Sequence, residues 1–243
     1  MLLAQQTALV TGAAKRLGAQ IVRTLHQNGA NLIIHYRHSA QAAGALVDEL
    51  NRQRADSAIA LAADLGMDGE IDDLASRACN AFGGLDILVN NASSFYPTPF
   101  GEIKPGAWED LVGSNFKAPL FLSQACYPAL RQSRGCIINM IDIYASRPLR
   151  EHSVYCSAKA ASQALVGALA LELAPEVRVN GISPGAMLWP DSADAASAQE
   201  IETQLPLQRA GGAQPIADTV LFLATSDYIT GEVIRVDGGR LLT

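Results

Sequence analysis

The chain has 243 residues, 49% of them hydrophobic and 17% charged, which supplies a large buried core and excludes a disordered or fibrous chain. Eighteen basic residues against 24 acidic ones leave a formal charge of −6 with no basic run, arguing against a nucleic-acid partner. Cys79, Cys126, Cys136 and Cys156 include no CxxC pair, so neither a metal site nor a dithiol motif is expected.

Strand-like runs alternate with helical patterns along the whole chain. Strands are expected at 7–11, 31–36, 57–62, 86–90, 136–141, 177–182 and 232–236, several of them continuously apolar, as strands covered on both faces are. Helices are expected near 17–28, 40–54, 68–81, 106–130, 154–174 and 214–225. This alternation implies the α/β class. The expected architecture is one doubly wound, Rossmann-type parallel sheet of about seven strands with helices on both faces, residues 1–243 forming a single domain. The Pro-, Ser- and Ala-rich stretch at about 185–206 reads as a substrate loop. No signal-like segment opens the chain, and the most apolar helical stretch, 164–171, is too short for a bilayer. The expectation is a reduced, cytoplasmic protein with no membrane partner.

The first strand runs into Thr11-Gly12-Ala13-Ala14-Lys15-Arg16-Leu17-Gly18 and then a helix. Glycines at such a turn let the backbone approach a pyrophosphate seated on the helix N-terminus. The spacing is not GxGxxG, and alone it also describes an ordinary strand–helix turn. Its place as the first βα turn makes Gly12, Arg16, Leu17 and Gly18 cofactor candidates. The second strand ends His35-Tyr36-Arg37-His38-Ser39, with no acid for a ribose hydroxyl but with a cation and donors suited to a 2′-phosphate. That position favours NADPH over NADH. Asp64-Leu65 and Asn90-Asn91-Ala92-Ser93 are polar clusters ending the third and fourth strands at the sheet edge where ligands bind, although either alone could be a turn.

Tyr155 and Lys159 stand four apart on one helix face. An ammonium nearby should stabilise tyrosinate and lower the phenol pKa, making Tyr155 a proton donor. The spacing is common on exposed helices; following the turn and the Asn-rich strand end, it becomes specific.

The order TGxxxRxG, NNAS, Asn115, YxxxK, Ser183-Pro184-Gly185 and Asp237-Gly238-Gly239 resembles the short-chain dehydrogenase/reductase family over nearly the whole chain. The resemblance implies that Tyr155 is the acid and that Lys159 holds the nicotinamide ribose and tunes Tyr155. It implies that Asn115 supports a water-linked proton path to Lys159, that Asp64 meets the adenine, and that Pro184 and Gly185 line the cofactor. Two departures stand out. The family usually has Gly where this chain has Arg16, and Ser, a donor to a substrate carbonyl, where it has Asp142. An ionised carboxylate only accepts hydrogen bonds and would repel a carbonyl oxygen gaining negative charge.

Both departures resemble the pteridine reductase branch, together with TGAAKRLG, His35–Ser39, NNASSFYPTP and an Asp thirteen residues before the Tyr. That resemblance implies Phe95 stacked on a pterin, Arg16 and Ser93 touching both cofactor phosphate and pterin, and Asp142 and Tyr155 managing the proton. Leu188 and Trp189 are the substrate-loop candidates. Phe95 could also be a loop aromatic packed on its neighbours. The expected substrate is a small-molecule dihydropterin, with oxidised pterin or dihydrofolate as related substrates. The alternatives are a carbonyl reductase acting on a 3-oxoacyl thioester or sugar ketone, and a non-catalytic NADPH sensor, which would be expected to lose Tyr155 or Lys159. The helix at 154–174 is small and apolar nearly all round, so a homo-oligomer is expected, a homotetramer by the resemblance. Cys136 and Cys156 are read as packing residues, and His26 and His152 are assigned no role.

Overall fold

The computed structural model describes residues 1–67, 69–185 and 202–243. Seven parallel strands form one sheet: β1 (Thr7–Val10), β2 (Asn31–Tyr36), β3 (Ala58–Ala62), β4 (Ile87–Asn90), β5 (Cys136–Met140), β6 (Arg178–Pro184) and β7 (Val233–Val236). Their order is β3-β2-β1-β4-β5-β6-β7, so the chain starts in the middle, winds outward to β3, and crosses back beyond β1 to β4. That reversal opens a crevice at the carboxyl ends of β1 and β4, the switch point where a doubly wound sheet takes its ligand. The registers Val10↔Ile34 and Val10↔Val89 bring the ends of β1, β2 and β4 level at that crevice.

Among the described residues the main helices are α1 (Arg16–Gln27), α2 (Ala40–Gln53), α3 (Glu70–Asn80), α4 (Pro105–Val112), α5 (Ala118–Ser133), α6 (Ser153–Leu173) and α7 (Gln214–Thr225). Apolar residues alternate through β1: Ala8 and Val10 join Val22, Leu25, Leu46, Leu50 and Val220 from α1, α2 and α7, whereas Leu9 joins Leu74, Leu122, Leu130 and Leu169 from α3, α5 and α6. Each helix buries one stripe on one face of the sheet, so both faces are covered and the strands read as continuous apolar runs.

The structure changes two expectations. The single helix expected near 106–130 is α4 and α5 joined by a π turn, Gly113–Lys117, which carries the buried Asn115. A π turn inserts an extra residue and redirects the side chains it holds, so hydrophobic periodicity passes through it undetected. The second concerns α6, whose 21 residues make it long and apolar enough, by length and composition, to cross a bilayer. Half of that stretch is buried within the fold, and it carries the buried Tyr155 and Lys159, so α6 is read as a core helix. The proposed loop lies mostly outside the described residues, as do Leu188 and Trp189.

Candidate active site

The first βα turn is held by hydrogen bonds from neighbouring side chains. Gly12 has φ +61, and its N–H donates to His35 Nδ1 at 3.1 Å. His35 Nε2 lies 3.1 Å from the carbonyl of Ala63, so the ring is a neutral bridge: Nε2–H donates and Nδ1 accepts. Burial lowers its pKa and keeps it neutral. Just after β4, the Asn91 side chain donates to the carbonyls of Thr11 (2.8 Å) and Gly12 (3.2 Å), while the Asn91 and Ala92 N–H groups both bond Thr11 Oγ1 at 2.9 Å. A Cβ on Gly12 would meet Ala92 Cα at 2.9 Å, and one on Gly18 would meet the Gly12 carbonyl at 2.5 Å. No side chain caps α1, so its first-turn N–H groups carry no capping side chain. This bare, dipolar turn fits a pyrophosphate. Arg16 is exposed at φ +50, a left-handed conformation that explains why a glycine would serve there.

Two expectations are corrected here. His35 was expected to touch the cofactor; only 2% exposed, it lies beneath the turn as a support. Leu65 is buried in the core and presents little surface to a nucleotide. Tyr36 and Leu17 are half-buried against the core, and Ser39 starts α2. Arg37 and His38 stand exposed. The Arg37 guanidinium faces two carboxylates, Asp64 at 3.9 Å and Asp110 of α4 at 3.8 Å. Asp64 also caps its own turn by accepting from Gly66 N–H at 3.0 Å. Pro184 ends β6, and Gly185 N–H bonds the carbonyl of Val236 at 3.0 Å.

On the other side of the crevice, Asp142 follows β5 and caps a short 3-10 turn, Ile143–Ala145. Its Oδ1 accepts from Tyr144 N–H at 2.9 Å, and its Oδ2 accepts from the Tyr155 hydroxyl at 2.7 Å. Tyr155 is buried, 4% exposed, in a small apolar cluster with Leu111, Val154 and Cys156. Burial, and then the charge and hydrogen bond of Asp142, push its pKa well above the ordinary phenol range. This overturns the expected lowering by Lys159. The Lys159 ammonium lies 5.8 Å from the Tyr155 ring centroid and donates to the Met140 carbonyl at 2.8 Å, its one hydrogen bond among the described residues. Complete burial lowers the Lys159 pKa to about 8. Two N–H donors remain there, suited to the hydroxyls of a ribose. Burial also raises the Asp142 pKa, opposed by its bonds from Tyr144 and Tyr155.

Asn115 is buried in the π turn. Its Nδ2 donates to the carbonyls of Ser94 (2.8 Å) and Leu111 (3.0 Å), and its Oδ1 accepts from the Ser93 hydroxyl at 2.7 Å. Its side chain thus ties α4 to the loop after β4. Phe95, in the same loop, is 52% exposed and meets the Tyr155 ring edge-on, centroids 4.8 Å apart at 75°. Among the described residues no three His, Cys, Asp or Glu converge as a metal set.

A buried Tyr bonded to a half-buried Asp, a buried Lys one turn along the helix and a bare glycine turn at the switch point of a parallel sheet form one site. The family profile described as "Enoyl-(Acyl carrier protein) reductase" matches residues 12–240. The chain belongs to the short-chain dehydrogenase/reductase family. Like the other members of that family it is an oxidoreductase, and its members bind NAD(P)H. It is 38% identical to "Pteridine reductase 1" of Leishmania tarentolae, over 97% of this chain and 96% of the relative. It is 34% identical to a "3-oxoacyl-[acyl-carrier-protein] reductase" of Staphylococcus aureus over 98% of both chains, and to the "L-xylulose reductase" of Bos taurus over 99% of this chain and 98% of the relative.

Within this short-chain dehydrogenase/reductase, three residues at the site were not singled out from the sequence. Asp110 accepts from the Ser94 hydroxyl at 3.1 Å besides facing Arg37. Arg240 donates to the Tyr144 hydroxyl at 3.0 Å beside the Asp142 turn. His152 stacks on Phe95, centroids 4.8 Å apart and planes 19° from parallel. None belongs to a motif; each reaches the site from a segment distant in sequence or through a turn with no periodicity.

Proposed function

We propose that this chain is an NADPH-dependent pteridine reductase that converts a dihydropterin to its tetrahydro form. One observation carries the reading: the group bonded to the Tyr155 hydroxyl is the Asp142 carboxylate, beside the half-exposed ring of Phe95. A pterin presents amino and ring N–H donors, which a carboxylate accepts, and a flat face, which an aromatic ring stacks on. A ketone presents only an acceptor, which becomes more negative during reduction and which Asp142 would oppose unless it were protonated. The 38% identity to a pteridine reductase supports the same choice.

The Gly12 turn, the N-terminus of α1 and Lys159 would hold the cofactor, with Arg37, His38 and Ser39 around the 2′-phosphate. NADPH, when bound, supplies the hydride. The chain's own part is the proton. The Tyr155 hydroxyl donates to the ring nitrogen beside the reduced carbon, so that hydride and proton together saturate one C=N bond. While Asp142 is ionised it holds that proton on the phenol. Once Asp142 is protonated the hold is released, and its own proton replaces the one that Tyr155 gives up across the 2.7 Å bond. A raised Asp142 pKa favours that protonated form.

The second reading, reduction of a 3-oxoacyl or sugar ketone, is favoured by the 34% identities. NADPH oxidation with dihydrobiopterin, dihydrofolate, an acetoacetyl thioester and a sugar ketone side by side separates the readings. The pterin reading expects turnover of dihydrobiopterin far above the ketones, and competition against pterin, but not NADPH, by the diaminopteridine methotrexate. Ketone turnover without pterin turnover would replace it with the second reading. No turnover of any of them would favour a non-catalytic role, against which both Tyr155 and Lys159 stand.

A homo-oligomer, a tetramer by family resemblance, is part of the proposal. Ala160, Ala164 and Ala168 form an exposed row along α6, small enough for close helix approach, with the exposed Leu171 continuing its apolar face. Light scattering at micromolar concentration should return several times the 25.7 kDa chain mass; a monomeric mass would rule this out.

A further inference from the structure

His152 occupies the N-cap position of α6, yet its side chain makes no capping bond. Ser, Thr, Asp or Asn at such a position accepts a first-turn N–H. The imidazole is instead turned sideways. Its Nδ1 lies 2.8 Å from the Arg150 carbonyl, which makes Nδ1 the protonated nitrogen and sets the plane of the ring. In that plane it covers one face of Phe95. Phe95 is therefore held by two residues three apart at the start of α6, His152 on its face and Tyr155 by an edge contact, and is still 52% exposed.

The backbone fastens the same two segments. Thr98 N–H donates to the Glu151 carbonyl at 2.6 Å, tying the Phe95 loop to the residue before His152. Glu151 itself has φ +62, a left-handed conformation that costs a non-glycine residue free energy and persists only where its surroundings impose it. The Phe95 loop and the His152 turn are thus pinned to each other beside the Tyr155 hydroxyl.

We infer that His152 is a positioning residue for substrate: it backs Phe95 and holds that ring at the angle at which its other face stacks on a flat heterocycle. The inference rests on the proposed role of Phe95 as the wall of a pterin site. An exposed loop aromatic samples several rotamers, and ordering it on binding costs affinity. A fixed ring behind it removes that cost before substrate arrives.

The test is steady-state kinetics with dihydrobiopterin and NADPH on His152→Ala, His152→Phe, Phe95→Ala and the Phe95→Ala/His152→Ala double variant. Losing one stacked pair should raise the dihydrobiopterin KM of His152→Ala about three- to tenfold, with kcat, the NADPH KM and the melting temperature near wild type. His152→Phe keeps a ring behind Phe95 and should stay within about twofold of wild type. In the Phe95→Ala background, His152→Ala should add nothing, because the residue acts through Phe95. An unchanged KM in His152→Ala, effects that multiply in the double variant, or a His152→Phe as poor as His152→Ala would each overturn the inference. A wild-type protein inert toward dihydrobiopterin would instead overturn the pterin reading; an active wild type with unaltered His152 variants overturns the positioning role alone.

Discussion

Around β1, β2 and the end of β4, side chains are spent on the backbone. His35, buried, bridges Gly12 to Ala63, Thr11 Oγ1 accepts two N–H groups, and Asn91 donates to two carbonyls. Around β5 and α6 the functional side chains are bonded to one another: Tyr155 to Asp142, Ser93 to Asn115, Phe95 packed on His152. A pyrophosphate needs N–H groups and a dipole, which rigid backbone provides. Proton transfer needs titratable groups in a dry setting, which only paired side chains provide at tolerable cost. In the first region a substitution beneath the turn should damage everything bound there, whereas in the second a change to the Tyr155–Asp142 pair should damage chemistry and leave cofactor binding intact.

The sharpest test of that contrast is Tyr155→Phe. It keeps the ring and its packing and removes the proton, so turnover should fall by about 10²–10⁴-fold while NADPH binding, followed by nucleotide fluorescence, stays near wild type. Loss of NADPH binding would mean that the two regions are not separable. Asp142→Ser should come next, with dihydropterin turnover down about 10²-fold, NADPH KM unchanged and any ketone turnover raised. Full dihydropterin activity in that variant would remove the carboxylate from the mechanism.

The pH profile carries the same contrast. Asp142 has a raised pKa and acts protonated, so dihydropterin turnover should be greatest below that pKa and fall as pH rises through it; Asp142→Asn should flatten the profile. Lys159, lowered to about 8, loses its charge above that pH, so the NADPH KM should climb there in wild type and in Asp142→Asn alike. A single limb shared by kcat and the NADPH KM would contradict the division.

Within the nucleotide region, Arg37 and His35 separate surface from support. Arg37→Ala should weaken NADPH by about 1.5–3 kcal/mol, the worth of a charge-assisted bond, and leave NADH nearly unchanged. Smallest is His35→Ala, which strands the Gly12 N–H and the Ala63 carbonyl. It should cost about 1–3 kcal/mol of folding stability in denaturant melts and weaken NADPH and NADH equally. A change in cofactor preference in His35→Ala would show that the ring reads the nucleotide after all.

The sequence by itself determined the sheet and most of the site's membership. Continuous apolar runs of strand length, each followed by a helical period, admit only a parallel sheet covered on both faces. Because the strand ends of such a sheet converge, the polar residues at those ends, Gly12, Arg37, Asp64, Asn91 and Asp142, had to meet at one edge. Tyr155 and Lys159 were legible because four residues is one helical turn.

Direction and environment were decided only in three dimensions. His35 lies on a strand whose neighbours Ile34 and Tyr36 face the same core cluster, and nothing local says that the ring between them turns inward to bond the turn. Asn115 sits in a π turn that the apolar period of α4 and α5 runs straight through. The Tyr155 pKa moved opposite to expectation because spacing puts an ammonium nearby but says nothing of burial, and burial with a carboxylate at 2.7 Å outweighs an ammonium at 5.8 Å from the ring. His152 was passed over because its role depends on Phe95, 57 positions earlier in the chain. Sequence spacing specifies contacts within one helix or strand; which side chain faces which across the crevice is set by the packing of the whole sheet.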